Sequence, residues 1–116
     1  MKFLLVATYS GADFAETSFH GITVRILGQF TNIQDAVNAA VADNNEVATE
    51  FFEAWDEPWL EDAVEKYTED RNVNTNIAYM EDYFKEMVGM TMDIVTNEYE
   101  DNDGVNAETY TLTRIE

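Results

Sequence analysis

The stretch HGITVRILGQFTNIQDAVNAAV, residues 20 to 41, contains two hydrophobic periods and decides the fold class. In its first half apolar and other side chains alternate, which is typical of a β-strand. From Thr31 onward apolar residues recur at steps of three and four, which is the stripe of an amphipathic helix. The stretch therefore predicts a strand that ends near Phe30 and a helix that follows at once. The alternating residues are Ile22, Val24 and Ile26 against Thr23, Arg25 and Leu27.

The helical pattern begins after an N-cap at Thr31 or Asn32 and carries Asp35 in its first turn, where a carboxylate favours the positive helix end. The run Asp43-Asn44-Asn45 competes for backbone hydrogen bonds, so residues 31–55 form one helix or two. The predicted apolar stripe consists of Ile33, Val37, Ala40, Val41, Ala48, Phe51, Phe52 and Trp55.

Pro58 predicts a break, because proline is excluded from a helix interior but favoured in a first turn. A second helix is expected from there to about Asp70. The segment RNVNTN is interpreted as a loop in which Asn74 or Thr75 caps a third helix ending at Gly89. The predicted inward residues are Trp59, Leu60, Ala63, Val64 and Tyr67 in the second helix, and Ile77, Met80, Tyr83, Phe84, Met87 and Val88 in the third.

Strand patterns flank the helices on both sides. KFLLVATY, residues 2–9, precedes the strand at 20–30 across a loop at 10–19. MTMDIVTNEY, residues 90–99, and ETYTLTRI, residues 108–115, follow the helices and enclose a turn-forming stretch with Asp-Gly. The order predicts an α+β fold, with an antiparallel sheet of about four strands and about three to four helices on one face.

Composition favours a single self-sufficient domain over residues 1–116. The chain is 46% hydrophobic and 13% aromatic, which is too apolar for a disordered acidic tail. It has no cysteine, which excludes a disulfide framework and a thiolate metal site. No apolar run approaches the roughly 20 residues of a membrane span, and MKFLLVATYSG turns polar too early for a secretion signal. We therefore expect a cytoplasmic protein without a membrane partner.

The charge of the chain is extreme and localised. The net charge is −18, which repels nucleic acid and attracts basic protein surfaces. Residues 1–42 carry a net −1, residues 43–103 a net −16 and residues 104–116 a net −1. The acid is therefore concentrated in the helical middle of the chain, and direct nucleic-acid binding is excluded.

Little in the chain favours catalysis, a cofactor or a metal ion. His20 is the single histidine, and its neighbours lack the spacing of a catalytic triad. Aligning Gly104 with the sixth position of a calcium-binding loop places Tyr99 first and Tyr110 twelfth, where carboxylates are needed. No histidine pair or glycine-rich phosphate loop occurs. The prediction is a non-enzyme without cofactor or metal.

The carboxylates themselves form the most informative pattern. Glu57, Glu61, Glu65 and Glu69 recur every four residues, which places them in a row on one helix face about 6 Å apart. Ordinary solvated faces alternate Glu with Lys, because opposite charges at this spacing are favourable and like charges are not. The neighbouring helices widen the row. The predicted partner-binding surface consists of Glu46, Glu50, Glu53, Asp56, Glu57, Glu61, Asp62, Glu65, Glu69, Asp70, Glu81, Asp82 and Glu86.

A surface that binds a basic partner is favoured over two other uses of this charge. Adaptation to high salt predicts carboxylates over the whole surface. The first 42 residues are nearly neutral, which argues against it. The alternative is a small soluble oligomeric structural or assembly protein whose acids serve solubility only. Its homo-oligomer would form through the sheet or through a methionine-rich surface of Met80, Met87, Met90 and Met92.

A small, strongly acidic, cysteine-free protein with carboxylate rows on its helices resembles the DNA-mimic inhibitors that phages and mobile elements make against host defences. These include anti-restriction and anti-CRISPR proteins. The resemblance covers bulk composition and residues 43–103. It implies a protein that occupies the Lys and Arg groove of a nucleic-acid-binding protein, such as a nuclease or a CRISPR effector, in the host cytoplasm. Such binding competes with nucleic acid and weakens with salt.

Overall fold

A five-stranded antiparallel sheet organises the part of the chain that the structure describes. In this computed structural model the described residues are 1–13, 18–51, 59–100 and 104–116, with side chains for 1–11, 23–49, 61–62, 64–98 and 107–116. The strand order is β2-β1-β5-β4-β3, and the α+β prediction is confirmed. The strands are β1 (Phe3–Asp13), β2 (Ser18–Phe30), β3 (Asn72–Val73), β4 (Thr91–Glu100) and β5 (Gly104–Arg114); the helices are α1 (Ile33–Phe51), α2 (Trp59–Glu69) and α3 (Ile77–Phe84).

The first and last strands form the middle of the sheet. β1 pairs with β5 along its whole length, from Phe3 opposite Arg114 to Asp13 opposite Gly104. β1 also pairs with β2, and β5 with β4, so the two terminal hairpins meet as predicted. The strands run further than their apolar patterns. Pairing on both sides carries β1 through Ser10 and Gly11, so the predicted loop at 10–19 is wrong for residues 10–13, which belong to β1, and for residues 18–19, which belong to β2.

The fifth strand, β3, was missed by the sequence pattern. It lies in the predicted loop RNVNTN, where Asn72 pairs with Thr96 and Val73 with Val95 of β4. Two residues cannot show a hydrophobic period, so this pairing depends on the edge that β4 provides. The Asn74 N–H bonds the Ile94 carbonyl, which ties Asn74 to the sheet. The third helix is therefore capped by Asn76, whose side chain accepts from the Tyr79 N–H, and not by Asn74 or Thr75.

The core lies between one face of the sheet and the helices. Residues that alternate along β1 and β5 meet the apolar stripe of α1, and α3 closes the end of the core where the Phe84 ring meets Phe3 edge to face at 5.0 Å. A register shift between Asp93 and Val95 turns two successive β4 residues inward. The buried cluster consists of Phe3, Leu5, Ala7, Ile33, Ala36, Val37, Ala40, Met80, Phe84, Ile94, Val95, Tyr110 and Leu112.

The first helix is continuous from Ile33 to Phe51, so the run Asp43-Asn44-Asn45 does not interrupt it. The Asn32 side chain accepts from the Asp35 N–H at 3.1 Å, which confirms Asn32 as the N-cap. The predicted stripe is buried at Ile33, Val37, Ala40 and Ala48 and half-buried at Val41. The predicted contacts of Phe51, Phe52 and Trp55 lie outside the described side chains, as do those of Trp59, Leu60 and Ala63, whereas Tyr67 is buried and Val64 half-buried.

The third helix ends at Phe84, five residues before Gly89. Lys85 and Glu86 close its last turn, and Gly89, at φ +96°, donates its N–H to the Arg114 carbonyl and starts the return to the sheet. The inward prediction holds for Met80 and Phe84, but Met87 and Val88 are 62% and 51% exposed. The chain turns back towards β4 after Phe84, so the helix ends there although its apolar pattern continues to Val88. None of the helices in the described residues is long and apolar enough to cross a membrane.

Candidate functional site

The predicted carboxylate row lies along the outer side of α2. Glu61, Glu65 and Glu69 are exposed and recur once per turn, so they stand about 6 Å apart along the helix axis. Tyr67, on the opposite side, is buried and orients the helix. The fourth member, Glu57, lies outside the described residues. The row is thus a surface feature of a helix that is fixed by its inner face.

All nine predicted site residues with described side chains are exposed, and they form two sets. The first, called the α2 acidic set, consists of Glu46, Glu61, Asp62, Glu65, Glu69 and Asp70; the second, called the α3 acidic set, consists of Glu81, Asp82 and Glu86. Glu86 lies beyond the end of α3, in the turn before β4. Glu50 is in α1 but its side chain is not described, and Glu53, Asp56 and Glu57 lie outside the described residues.

The two sets sit toward different ends of the sheet. α3 packs at the start of β1, where Phe84 contacts Phe3. α2 packs against α1 and β4. Burial raises the pKa of its Tyr67, and Glu108 of β5 and Tyr9 of β1 are near enough to add to that rise. Phe3 and Tyr9 are six residues apart on β1, which is about 20 Å along a strand. The sequence grouped both sets into one surface, whereas the fold separates them.

Most of the cations are engaged elsewhere and leave the α2 acidic set uncompensated. The Lys85 ammonium lies 3.6 Å from Asp82 in the α3 acidic set, and Lys2 pairs with Glu116 at 3.2 Å. Arg114 donates to the Phe84 and Glu116 carbonyls. Lys66 is the one cation on α2, and it has no ion pair within the described residues. The α2 acidic set therefore has six carboxylates with one lysine nearby, and no ion pair to that lysine among the described residues.

A polar cluster under α1 holds the helix on the sheet. Arg25 donates to both Asp43 oxygens, at 3.2 and 2.7 Å, and to Glu108 Oε1 at 3.0 Å. This joins β2, α1 and β5, and it explains why Asp43 does not break the helix. Its carboxylate binds across the layers instead of competing for the backbone of its own helix.

The Tyr110 hydroxyl lies between the two carboxylates of this cluster, 2.7 Å from Asp43 Oδ2 and 2.6 Å from Glu108 Oε1. One hydroxyl donates one proton, so both short contacts are satisfied when a carboxyl is also protonated. Burial raises the pKa of Glu108, against the hydrogen bonds from Tyr110 and Arg25. Burial also acts to raise the pKa of Asp43, but hydrogen bonds from Arg25 and Tyr110 outweigh it and lower that pKa. Glu108 is therefore the carboxyl that takes up a proton more readily than Asp43.

A second group of polar contacts ties the end of α2 to α1. The Arg71 guanidinium donates to the side-chain oxygens of Asn44, at 3.2 Å, and Asn45. Asn44 is fully buried and also accepts from Asn97 of β4 at 3.0 Å. Burial raises the pKa of Tyr67, and a hydrogen bond with the Asn44 side chain opposes that rise. Both inner arginines thus serve the scaffold of the acidic surface.

Sequence reasoning missed this scaffold. Asp43 lies 18 residues after Arg25, and Glu108 lies 65 residues after Asp43. No local period links residues at such separations. Two signals were present. Arg25 is the only cation inside an otherwise uncharged apolar strand, and Asp43 and Asn44 fall within an amphipathic helix. A charge in such positions is retained when it has a partner.

The described surface has two solvent-open grooves, and its described side chains form no metal-binding group. No group of three His, Asp or Glu side chains that could hold a metal occurs among the described residues. A groove of about 410 Å³ beside β3 is lined mainly by asparagine and threonine, and its one carboxylate, Asp93, accepts from Thr111. A neighbouring groove of about 360 Å³ brings Asp70 and Glu98 to its rim. Both grooves are open to solvent and lack a nucleophile paired with a base.

The fold and its surface define an α+β protein with a strongly acidic helical face. No protein-family model, curated protein or solved structure matches the chain.

Proposed function

We propose that this protein is a non-enzymatic acidic inhibitor that binds the nucleic-acid-binding groove of a basic protein. The partner class is a host defence protein, such as a nuclease or a CRISPR effector, and the site of action is the cytoplasm. The observation that carries the proposal is the row Glu61, Glu65 and Glu69. Its three exposed carboxylates stand one helical turn apart and have no cationic partner among the described residues.

The physical basis is a preorganised line of negative charge. Like charges at i, i+4 destabilise a helix by about 0.2–0.5 kcal/mol per pair, so a row of them works against the helix that carries it. A basic groove built for phosphates gains most of its affinity from neutralising charge and releasing counterions. A rigid row of carboxylates meets the same groove with little loss of conformational freedom. The proposed inhibition is therefore competition with nucleic acid.

The helix that carries the row is held from its inner side. Tyr67 is buried, and Arg71, two residues beyond α2, bonds Asn44 and Asn45 of α1. These contacts lie away from the row, so the carboxylates remain available to a partner. The α3 acidic set has another anchor, at Phe3, and offers a comparison surface on the same molecule.

The test compares two variants that remove the same number of charges. The first is Glu61→Gln, Glu65→Gln and Glu69→Gln; the control is Glu81→Gln, Asp82→Asn and Glu86→Gln. Each protein is immobilised, exposed to a bacterial lysate in low salt, and eluted with rising salt or with duplex DNA. We expect wild type and control to retain the same basic proteins and the first variant to lose them.

Two results contradict the proposal. One is equal retention by both triple variants, because net charge and not the row would then set binding. The other is a retained protein that duplex DNA fails to displace. Circular dichroism checks the fold, and the first variant should be slightly more stable than wild type because it loses like-charge repulsion within α2.

A further inference from the structure

β2 is a long edge strand whose outer side is unpaired in the part of the chain that the structure describes. It runs for 13 residues and pairs on its inner side with β1. The opposite edge differs, because β3 is only two residues long and the stretch of β4 beyond it carries Glu98 and Glu100. Short strands and charged residues are the usual protections of a sheet edge. One edge is thus protected and the other is open.

The described part of this edge lacks several of the usual protections. β2 contains no proline and no lysine. Its single arginine, Arg25, turns to the helical side and bonds Asp43 and Glu108. On the other face Val24 and Ile26 are 61% and 71% exposed. The irregularities in the pairing with β1 fall outside the segment from Gly21 to Ile26, which stays in regular register.

The charge of the chain selects the occupant of this edge. β2 has no carboxylate between Ser18 and Phe30, whereas the chain as a whole carries −18. A basic segment would find no carboxylate on this edge, and an acidic segment would find its one arginine, Arg25, already bonded to Asp43 and Glu108. A second copy meets the edge with an equally neutral, equally apolar strand. Because antiparallel pairing of two identical strands is two-fold symmetric, it uses both open edges and closes.

We infer that two copies of this chain pair through β2 to form one continuous ten-stranded sheet. Val24 and Ile26 of the two copies then pack against one another and leave water. α2 packs over β4, which is three strands from β2 and so about 14 Å away. The α2 acidic sets of the two copies therefore lie at the far ends of the joined sheet. This arrangement lets two strongly acidic chains associate and presents two acidic rows on one particle.

The salt dependence of this dimer has a definite sign. Two molecules of charge −18 repel one another, and salt screens that repulsion. The dimer therefore tightens as salt rises, whereas binding of a basic partner by the acidic row weakens. Opposite salt responses keep the dimer and the proposed function distinguishable, so that either can fail without the other.

The test is sedimentation of the pure protein across salt concentrations, with two matched variants. Ile26→Glu places a carboxylate on the β2 edge, and Met87→Glu makes the same change at a residue of similar exposure in the turn after α3. We expect wild type and Met87→Glu to sediment at twice 13.3 kDa in high salt and Ile26→Glu at 13.3 kDa. The Ile26→Glu substitution is present in both copies of the dimer. A tenfold loss of affinity from each copy therefore raises the dissociation constant of the dimer about a hundredfold.

Amide hydrogen exchange gives a second readout that needs no substitution. In an antiparallel ladder alternate amides of β2 face outward, and these should exchange more slowly as wild-type concentration rises. A wild type that sediments as a monomer at every salt concentration overturns the inference. So does equal weakening by the two variants, or exchange in β2 that is independent of concentration.

Discussion

Replacing Arg25 with methionine should destabilise the protein far more than an ordinary surface substitution. Arg25 makes three hydrogen bonds, two to Asp43 and one to Glu108, and it is the cation that both carboxylates share. Methionine keeps much of the unbranched stem and removes the guanidinium. Two carboxyl groups beneath α1 are then left without their counter-charge, and Tyr110 can donate to one of them only.

The magnitude follows from the burial of the three groups. Removing one partner of a fully buried pair costs about 3–5 kcal/mol. The side chain of Glu108 is 1% exposed, that of Asp43 19% and that of Arg25 40%, so solvent screens part of the loss. We therefore expect about 3 kcal/mol, at the lower end of that range. At about 4 °C per kcal/mol for a domain of this size, the melting temperature should fall by roughly 12 °C.

Urea unfolding at pH 7 measures the change, with Lys66→Met as the control. Both variants remove one positive charge, but Lys66 is exposed and should cost under about 0.5 kcal/mol. Removing Arg25 lets the pKa of both carboxyls rise in the folded state, so the loss of stability should shrink as pH falls from 7 towards 4. A loss within 0.5 kcal/mol of the control, or one that is independent of pH, refutes the role assigned to Arg25.

Three further changes test the N-cap of α1, the buried carboxyl of Glu108 and the end of α3. Asn32→Ala should cost about 1 kcal/mol in urea unfolding, because it removes the acceptor for the Asp35 N–H, and Thr31→Ala should cost little. Burial raises the pKa of Glu108, so the stability it contributes is lost as pH rises through its folded pKa. Glu108→Gln should therefore gain stability relative to wild type as pH rises above the ordinary glutamate range, and a pH-independent difference would contradict this. Met80→Ala should cost about 2–5 kcal/mol and Met87→Ala under about 0.5, and equal losses would contradict the end of α3 at Phe84.

The fold class and most of its elements could be predicted from periodicity. The alternation in β2, the stripe of α1 and the end of α2 near Asp70 are local patterns that are read within one element, whereas the predicted break before Pro58 lies outside the described residues. The N-cap at Asn32 follows from the same local chemistry. These features belong to single segments, so a single sequence carries them.

The remaining features depend on contacts between distant segments. β3 exists because β4 offers it an edge, and α3 ends at Phe84 because the chain returns to pair with β5. The alternation in β2 identified the strand, yet its exposed residues Val24 and Ile26 lie on the face away from the helices. Arg25 takes the inner face because its partners, on α1 and β5, are there.

The nine members of the predicted site with described side chains are exposed, and they lie on or beside helices that pack toward different ends of β1, while their role in binding stays a prediction. Exposure follows from the helical period, since acids opposite an apolar stripe face water. The arrangement of the helices relative to one another does not follow from that period, and the fold divides the carboxylates into the α2 and α3 acidic sets. Only the first contains a row without a cationic partner among the described residues.

The two inner arginines bond to α1 and do not neutralise the acidic row. Arg25 and Arg71 are positioned under and beside α1, where they bond Asp43, Asn44 and their neighbours instead of neutralising surface carboxylates. They hold the helical layer in place, and they leave Lys66 as the one cation on α2 beside the α2 acidic set. Scaffold and charge are therefore separable: substitutions at Arg25 should change stability and spare the row, whereas glutamine at Glu61, Glu65 and Glu69 should remove the row and spare the scaffold.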